Sequence, residues 1–197
     1  QQEKLHPYNG AGCFNDMDML TVGMYNQGNV AIGKPCTDGE YRMQFSLWCL
    51  AGAPLMIGAD IRKLNPLMKE LLLNRDLIRI DQDRECRPPY VMGKKHVMVP
   101  EEDRENAVEP LRTVEDQLYT FIKHLSDNEF VIACYNLFDE EREISCIFAD
   151  AGVPYASGYG FAMRDIFSGE DLGVKKDYYI TSVPGHDCRL FLCRLAR

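Results

Sequence analysis

The sequence predicts an α/β segment over residues 1–86 joined to an all-β, antiparallel sandwich over residues 87–197. Three observations carry this expectation. A strand, loop, helix rhythm runs through the first part, as α/β folds require. Arg87-Pro88-Pro89 then breaks it and reads as a linker. Beyond the prolines come short β-rich runs separated by turn residues, the spacing of an antiparallel sandwich.

Each element has its own signal. Pro7, Asn9, Gly10 and Gly12 exclude a helix, so residues 5–20 read as the entry to a strand and its exit loop. Thr37-Asp38-Gly39-Glu40 has capping-box spacing directly before an apolar run and predicts a helix over 39–51. Tyr41, Phe45, Trp48 and Gly52 form one stripe of that helix, and Met43, Leu47 and Leu50 another, so it is apolar around most of its girth. Leu55-Met56-Ile57-Gly58, introduced by Pro54, suits a parallel strand buried on both faces. Asn65-Pro66 supplies a cap and a first-turn proline for a helix ending near Asn74, with Leu67, Met68, Leu71 and Leu72 inward. Strands are expected at 90–99, 111–125, 129–137, 142–149, 161–167, 177–183 and 187–195. Ser126-Asp127-Asn128 and Asp139-Glu140-Glu141 read as turns, and the acidic stretch 100–109 as an exposed loop.

Composition narrows the function. A net charge of −8 argues against nucleic acid as a partner, because phosphate binding needs clustered Lys and Arg. No apolar run is long enough to cross a bilayer, which argues against a membrane role. The eight cysteines contain no Cys-x-x-Cys and sit mostly in apolar runs, the pattern of buried free thiols, which favours a reducing cytoplasm. Cys188 and Cys193, five apart on an expected strand, face opposite sides and should not pair. His6, His96, His124 and His186 lack metal-ligand spacing, so no metal site is expected of them, and the reading that follows involves no organic cofactor.

The chemistry concentrates in Gly12-Cys13-Phe14-Asn15-Asp16-Met17-Asp18-Met19-Leu20. On an extended backbone Asp16 and Asp18 share one face, and adjacent carboxylates must be solvated, paired or kept for chemistry. An Asx-rich surface turn explains the same residues equally well.

The sixty residues after the pair give it context. The stretch resembles glycoside hydrolase family 27, the α-galactosidase and α-N-acetylgalactosaminidase family, whose Gly-Gly-Trp-Asn-Asp-Pro-Asp-Met-Leu lies near the seventh strand of a (β/α)8 TIM barrel. The family's Gln-x-x-Leu-Trp helix is matched by Gln44 to Trp48, its Ala-Pro-Leu strand and Asp-Leu-Arg by Ala53 to Arg62, and its Ile-Asn-Gln-Asp by Ile80-Asp81-Gln82-Asp83. Val183 to Phe191 is similar to the closing strand pair of its C-terminal sandwich. The resemblance implies the last two βα units of the barrel over 1–86 and the sandwich over 87–197. A whole barrel takes about 250 residues, so the first six units are expected upstream of residue 1.

The resemblance also implies roles. Asp18 contacts the sugar, Met19 lines its pocket, and Asp16, Phe14 and Asn15 support them from behind. The two catalytic aspartates of the retaining mechanism belong to the fourth and sixth strands, so no catalytic residue is expected in this chain and it should be inactive alone. Asp16 and Asp18 as the catalytic pair themselves would conflict with the family pattern. Phe14 stands where the family has tryptophan and Met17 where it has proline, which puts the sugar specificity in question. Asp60 and Arg62 follow the expected eighth strand, and Asp81 and Asp83 are expected to fix the passage between domains. The expected partner is an α-galactoside or a related sugar. Two rivals stand beside this reading. One is a non-catalytic carbohydrate- or partner-binding module using Tyr155, Tyr159 and Phe161 as platforms; the other is a chain that self-associates or complements a separate N-terminal barrel half.

Overall fold

A computed structural model describes residues 6–26, 35–100 and 111–197. Most of the expected acidic loop at 100–109 falls outside these residues. The described residues form three α-helices and eight strands: α1 (Asp38–Ala51), α2 (Pro66–Leu72), α3 (Arg75–Asp81), then β1 (Tyr90–Pro100), β2 (Leu111–His124), β3 (Glu129–Asn136), β4 (Arg142–Ile147), β5 (Gly160–Asp165), β6 (Asp171–Lys176), β7 (Tyr178–Val183) and β8 (Asp187–Ala196). None of these helices is long and apolar enough to cross a membrane.

Helix α1 begins and ends as its sequence dictates. The Thr37 hydroxyl accepts the Glu40 N–H at 3.2 Å, and the Glu40 carboxylate accepts the Thr37 N–H at 2.6 Å. Gly52, at φ 67°, closes the helix by donating its N–H to the carbonyls of Cys49 and Trp48. The helix expected over 66–74 is shorter, and a second helix follows it. The first stops at Leu72, and the Asn74 side chain then caps α3 by accepting the N–H groups of Asp76 and Leu77. Helix α3 was not expected, although Asn74 as cap, Asp76 in the first turn and the fully buried Leu77 and Ile80 three apart were all visible in the sequence.

The expected strand at 55–58 shrinks to one parallel bridge between Leu20 and Ile57. Leu20 donates to Met56 O at 2.7 Å and accepts from Gly58 N at 2.9 Å. The parallel sense was expected, but burial on both faces was not observed: Met56 is 61% and Ile57 44% exposed. A parallel strand is buried only when elements cover both of its faces. Among the described residues none covers this side.

The C-terminal part is a sandwich. Six strands in the order β1-β2-β3-β8-β5-β6 make one antiparallel sheet, and β4 pairs antiparallel with β7 in a second. All seven expected strands are present with ends shifted by one or two residues. Strand β6 was missed because its composition, Asp171-Leu172-Gly173-Val174-Lys175-Lys176, is that of an exposed edge, where lysines discourage further pairing.

The large sheet carries a core on each face. On one face Val131, Ala133 and Tyr135 of β3 and Cys188 and Leu190 of β8 pack with Tyr41, Phe45, Cys49, Leu50, Leu77 and Ile80 of the helices. On the other, Ile132 and Cys134 of β3 and Phe191 and Cys193 of β8 pack with Ile144, Cys146, Phe148 and Val183. Cys188 and Cys193 therefore face opposite cores, as their spacing predicts.

Polar groups fasten helices to sheet. Glu129 accepts from both Arg79 and Arg194, Arg164 reaches Asp76 at 2.8 Å, and Arg42 lies 3.2 Å from Asp187. Asp83 accepts the Ser126 N–H at 2.9 Å, tying the end of the helical part to the β2–β3 turn. Gly39 presses on the turn before β8 so closely that an added Cβ would lie 2.5 Å from the His186 carbonyl oxygen. Lys123 of β2 is 1% exposed and donates to Leu50 O at 3.0 Å. Burial lowers its affinity for a proton, opposed by Asp83 and Asp81. Asp81 has one carboxylate oxygen buried without a hydrogen-bond partner among the described residues, and burial pushes its pKa up to about 6 against the pull of Lys123.

This gives a pH signature. An unfolded aspartate titrates near ~3.9, so folded Asp81 holds its proton more tightly. Its contribution to stability is full below the unfolded value, declines as pH rises toward about 6, and is lost above that. Asp81→Asn cannot titrate. Urea unfolding of both proteins should show the wild-type midpoint falling relative to the variant's across this window and levelling beyond it; a pH-independent difference would show that Asp81 titrates normally.

Candidate sugar-binding segment

Asp16 and Asp18 are not on an extended strand. Asp18 has φ 70°, a left-handed conformation that aspartate tolerates, and its N–H donates to Asp16 Oδ1 at 2.9 Å. The segment is thus an Asx-type turn, the second of the two readings the residues allow, and the expectation that the pair shares one strand face is corrected. The bridge residue Leu20 also follows the pair rather than preceding it, so the acidic turn enters the bridged position instead of leaving it.

The turn is held from two sides. The Trp48 indole N–H donates to Asp18 O at 3.0 Å. One helical turn earlier, Gln44 Oε1 accepts both the N–H and the hydroxyl of Thr21, each at 3.0 Å. Gln44 and Trp48 are four apart, so one face of α1 reaches both ends of the segment 18–21. In the sequence Trp48 reads as part of an apolar stripe and, with Gln44, as a match to the Gln-x-x-Leu-Trp helix, without its indole being given a partner; the i, i+4 pairing of two polar-tipped side chains was the signal for that use. Upstream, Asn9 Oδ1 accepts the Asn15 N–H at 2.9 Å while Asn9 Nδ2 donates to Ala51 O at 2.6 Å, anchoring Asn15 to the end of α1.

Held this way, the polar groups point outward. Asp16, Asp18, Phe14 and Met19 are exposed, and Asn15 is half-buried. Asp18 Oδ1 accepts the Met19 N–H at 2.7 Å. A carboxylate so placed can accept sugar hydroxyls, with Met19 and Phe14 offering apolar surface to the ring. Met19 also lies against Gly58, where a Cβ would come within 3.5 Å of its side chain, so the second bridged segment backs it.

The remaining sequence candidates separate clearly. Asp60 caps the turn at Ile61–Lys63 and grips Arg62 through two 2.9 Å contacts, which holds its carboxyl below the usual range; it is committed locally. His124 contacts the Tyr90 hydroxyl at 2.9 Å and His186 contacts Asp139 at 2.8 Å. Phe161 is 1% exposed, packed against Phe130 and Phe148, so it cannot be a binding platform. Its place on the inward side of β5 was hidden because Gly160-Phe161-Ala162-Met163 is an unbroken apolar run, with no polar alternation to mark one face. Tyr159 is covered by the Arg197 guanidinium, 4.6 Å from its ring centre, and Tyr155 remains exposed. Two cavities, of about 380 and 220 Å³, lie at β5–β8 and between α1, α2 and Phe167; neither includes the acidic turn.

A bridged pair of parallel segments with its helices, followed by a two-sheet sandwich, is the arrangement expected of the last units of an α/β barrel with an appended β domain. Comparison agrees in both halves: the family model described as alpha galactosidase A matches residues 1–83, and that of the alpha galactosidase C-terminal beta sandwich domain matches residues 115–193. The chain belongs to glycoside hydrolase family 27 and corresponds to its C-terminal region. The alpha-galactosidase of Cyamopsis tetragonoloba is 28% identical over 94% of this chain, and the alpha-N-acetylgalactosaminidase of Gallus gallus is 33% identical over 48% of it. The chain spans 38% and 20% of those relatives' lengths. Among solved structures, a putative alpha-galactosidase/melibiase of Bacteroides fragilis superposes with a TM-score of 0.77 at 24% identity, over 98% of this chain and 36% of that one.

Gln44 tests the clamp. Gln44→Ala removes the acceptor of two hydrogen bonds and should cost about 1–2 kcal/mol, read by urea unfolding through the fluorescence of Trp48, the sole tryptophan. Gln44→Glu, which keeps an acceptor, should retain most of that stability.

Proposed function

We propose that this chain is the C-terminal portion of a retaining glycosidase that removes terminal α-linked galactose or a near relative, with the barrel portion ending at residue 86 and the sandwich following. The observation that carries the reading is Asp18, exposed and clamped between the Asp16 carboxylate and the Trp48 indole, within a segment that shares its residue order with the family's sugar-binding turn. Asp18 accepts hydroxyl hydrogens of the sugar and Met19 lines the ring's path. Asp16 holds the Asp18 peptide, Asn15 fixes the turn's entry, and Phe14 forms an aromatic wall. Names of relatives support the substrate class: they include alpha-galactosidases and an alpha-N-acetylgalactosaminidase.

The retaining mechanism needs two carboxyl groups about 5–5.5 Å apart, one as nucleophile and one as acid then base. Asp16 and Asp18 are poor candidates. Asp16 is bound to the backbone N–H of Asp18, and Asp18 to that of Met19, which commits an oxygen of each to the turn. The catalytic pair is assigned to the earlier barrel strands, so the 197 residues supply one wall of the pocket. The free thiols are compatible with a cytoplasmic setting.

A second reading has its own observation. Phe14, Met19, Met56, Ile57 and Ile61 are all exposed around the Leu20–Ile57 bridge, a hydrophobic edge suited to earlier barrel units, whether in the same polypeptide, a separate one or a second copy.

An aryl α-galactoside assay tests the assignment. The 197-residue chain should give no turnover, whereas the chain extended by a family barrel's first six units should turn over and lose at least ~10²-fold in kcat/KM on Asp18→Ala. Robust hydrolysis by the 197 residues alone would move catalysis to Asp16 and Asp18.

A further inference from the structure

Cys134 and Cys146 belong to different sheets, yet their Sγ atoms lie 3.3 Å apart. Strand alternation explains the meeting. Cys134 follows Ile132 on the inward side of β3, Cys146 follows Ile144 on the inward side of β4, and both side chains are completely buried in the core between the sheets. The third thiol of that core, Cys193, is directed to the Phe191 carbonyl at 3.5 Å. Cys188 and Cys49 belong to the opposite core, Cys86 is half-buried with its thiol on the Asp83 carbonyl at 3.4 Å, and Cys13 and Cys36 are exposed in the helical part. The pairing is therefore selective.

We propose that Cys134 and Cys146 form a disulfide site that staples the two sheets of the sandwich when a small-molecule disulfide is present. A bond of about 2.05 Å requires the sulfurs to approach by little more than 1 Å, within reach of side-chain rotation. The partners are 12 positions apart in sequence, so the link would close the β3–β4 connection.

The chemistry balances as two exchanges. The thiolate of one cysteine attacks a sulfur of glutathione disulfide, forming a mixed disulfide and releasing one glutathione thiolate. The second cysteine's thiolate then attacks the protein sulfur of that mixed disulfide, forming the Cys134–Cys146 bond and expelling the second glutathione. Two protein thiols lose two electrons and two protons, and glutathione disulfide leaves as two thiols. The Cys134 thiol is pushed well above its ordinary pKa by its contact with Cys146 and by burial, which makes the thiolate scarce in the folded chain. Oxidation should accordingly be slow in the native state and fast during refolding.

The full 197-residue chain, refolded in glutathione redox buffer, alkylated and digested without reduction, decides the matter. The expected result is a linked peptide pair holding Cys134 and Cys146, two hydrogens lighter than the separate peptides, with a urea midpoint that rises on oxidation and returns on reduction. Cys146→Ser and the more conservative Cys146→Val should both lack the linked pair and the redox-dependent shift. Recovery of Cys134 and Cys146 as alkylated thiols after refolding in that buffer, or Cys134 linked to Cys193 instead, would overturn the proposal.

Discussion

The structure depends on a central sheet whose two middle strands are buried on both sides. In β3, alternate residues enter different cores: Val131, Ala133 and Tyr135 meet the helices, while Ile132 and Cys134 meet the second sheet. Strand β8 does the same with Leu190 and Phe191. A slip of one residue would exchange the two sets and set Tyr135 against a space that holds Cys134. This register is what makes the helical segment and the sandwich one structure, because α1 has no other sheet within the described residues on which to place Phe45, Cys49 and Leu50.

Two-sided burial leaves polar groups at the joint with little water, and they answer it differently. Glu129 is enclosed but accepts from two arginines, so its carboxyl lies below the usual range despite its burial. Ser46 satisfies its hydroxyl through Met43 O and the Tyr135 hydroxyl, both at 3.1 Å. Lys123 and Asp81 are less well matched: the ammonium is spent on a carbonyl, and the carboxylate keeps an oxygen without a partner among the described residues. The Lys123 and Asp81 charges act on each other electrostatically, each opposing the effect of burial on the other. Two residues further along, the Asp83–Ser126 hydrogen bond joins the end of the helical part to the β2–β3 turn, a contact of the kind the sequence suggests for Asp83.

The parts legible in the sequence were those set by local chemistry. The ends of α1 follow from Thr37, Glu40 and Gly52, and the inner strands follow from their apolar runs. Elements decided by tertiary context were not legible. Edge strand β6 lacks an apolar face to advertise it, and Asn74 looks like the end of one helix although its side chain begins the next. At the site, the residue types were visible but their geometry was not. Asp16-x-Asp18 reads as alternation only if the chain is extended, and no pattern in those residues shows that Asp18 turns left-handed beneath the indole of Trp48, thirty positions away.

That long-range clamp explains how a turn can hold a fixed backbone while most of its side chains face solvent. The backbone of Asp18 is fixed by its N–H on Asp16 and its carbonyl under Trp48, so the carboxylate is positioned without being buried. A carboxylate already desolvated by its own protein has fewer free lone pairs for a sugar; an exposed one on a fixed backbone keeps them. Helix α1 serves both ends of this arrangement. One face sets Gln44 and Trp48 against the 18–21 segment, and another buries Phe45 and Cys49 against β3 and β8. The register of the central sheet thus reaches the acidic turn through one helix, which gives the sandwich a structural part in holding that turn.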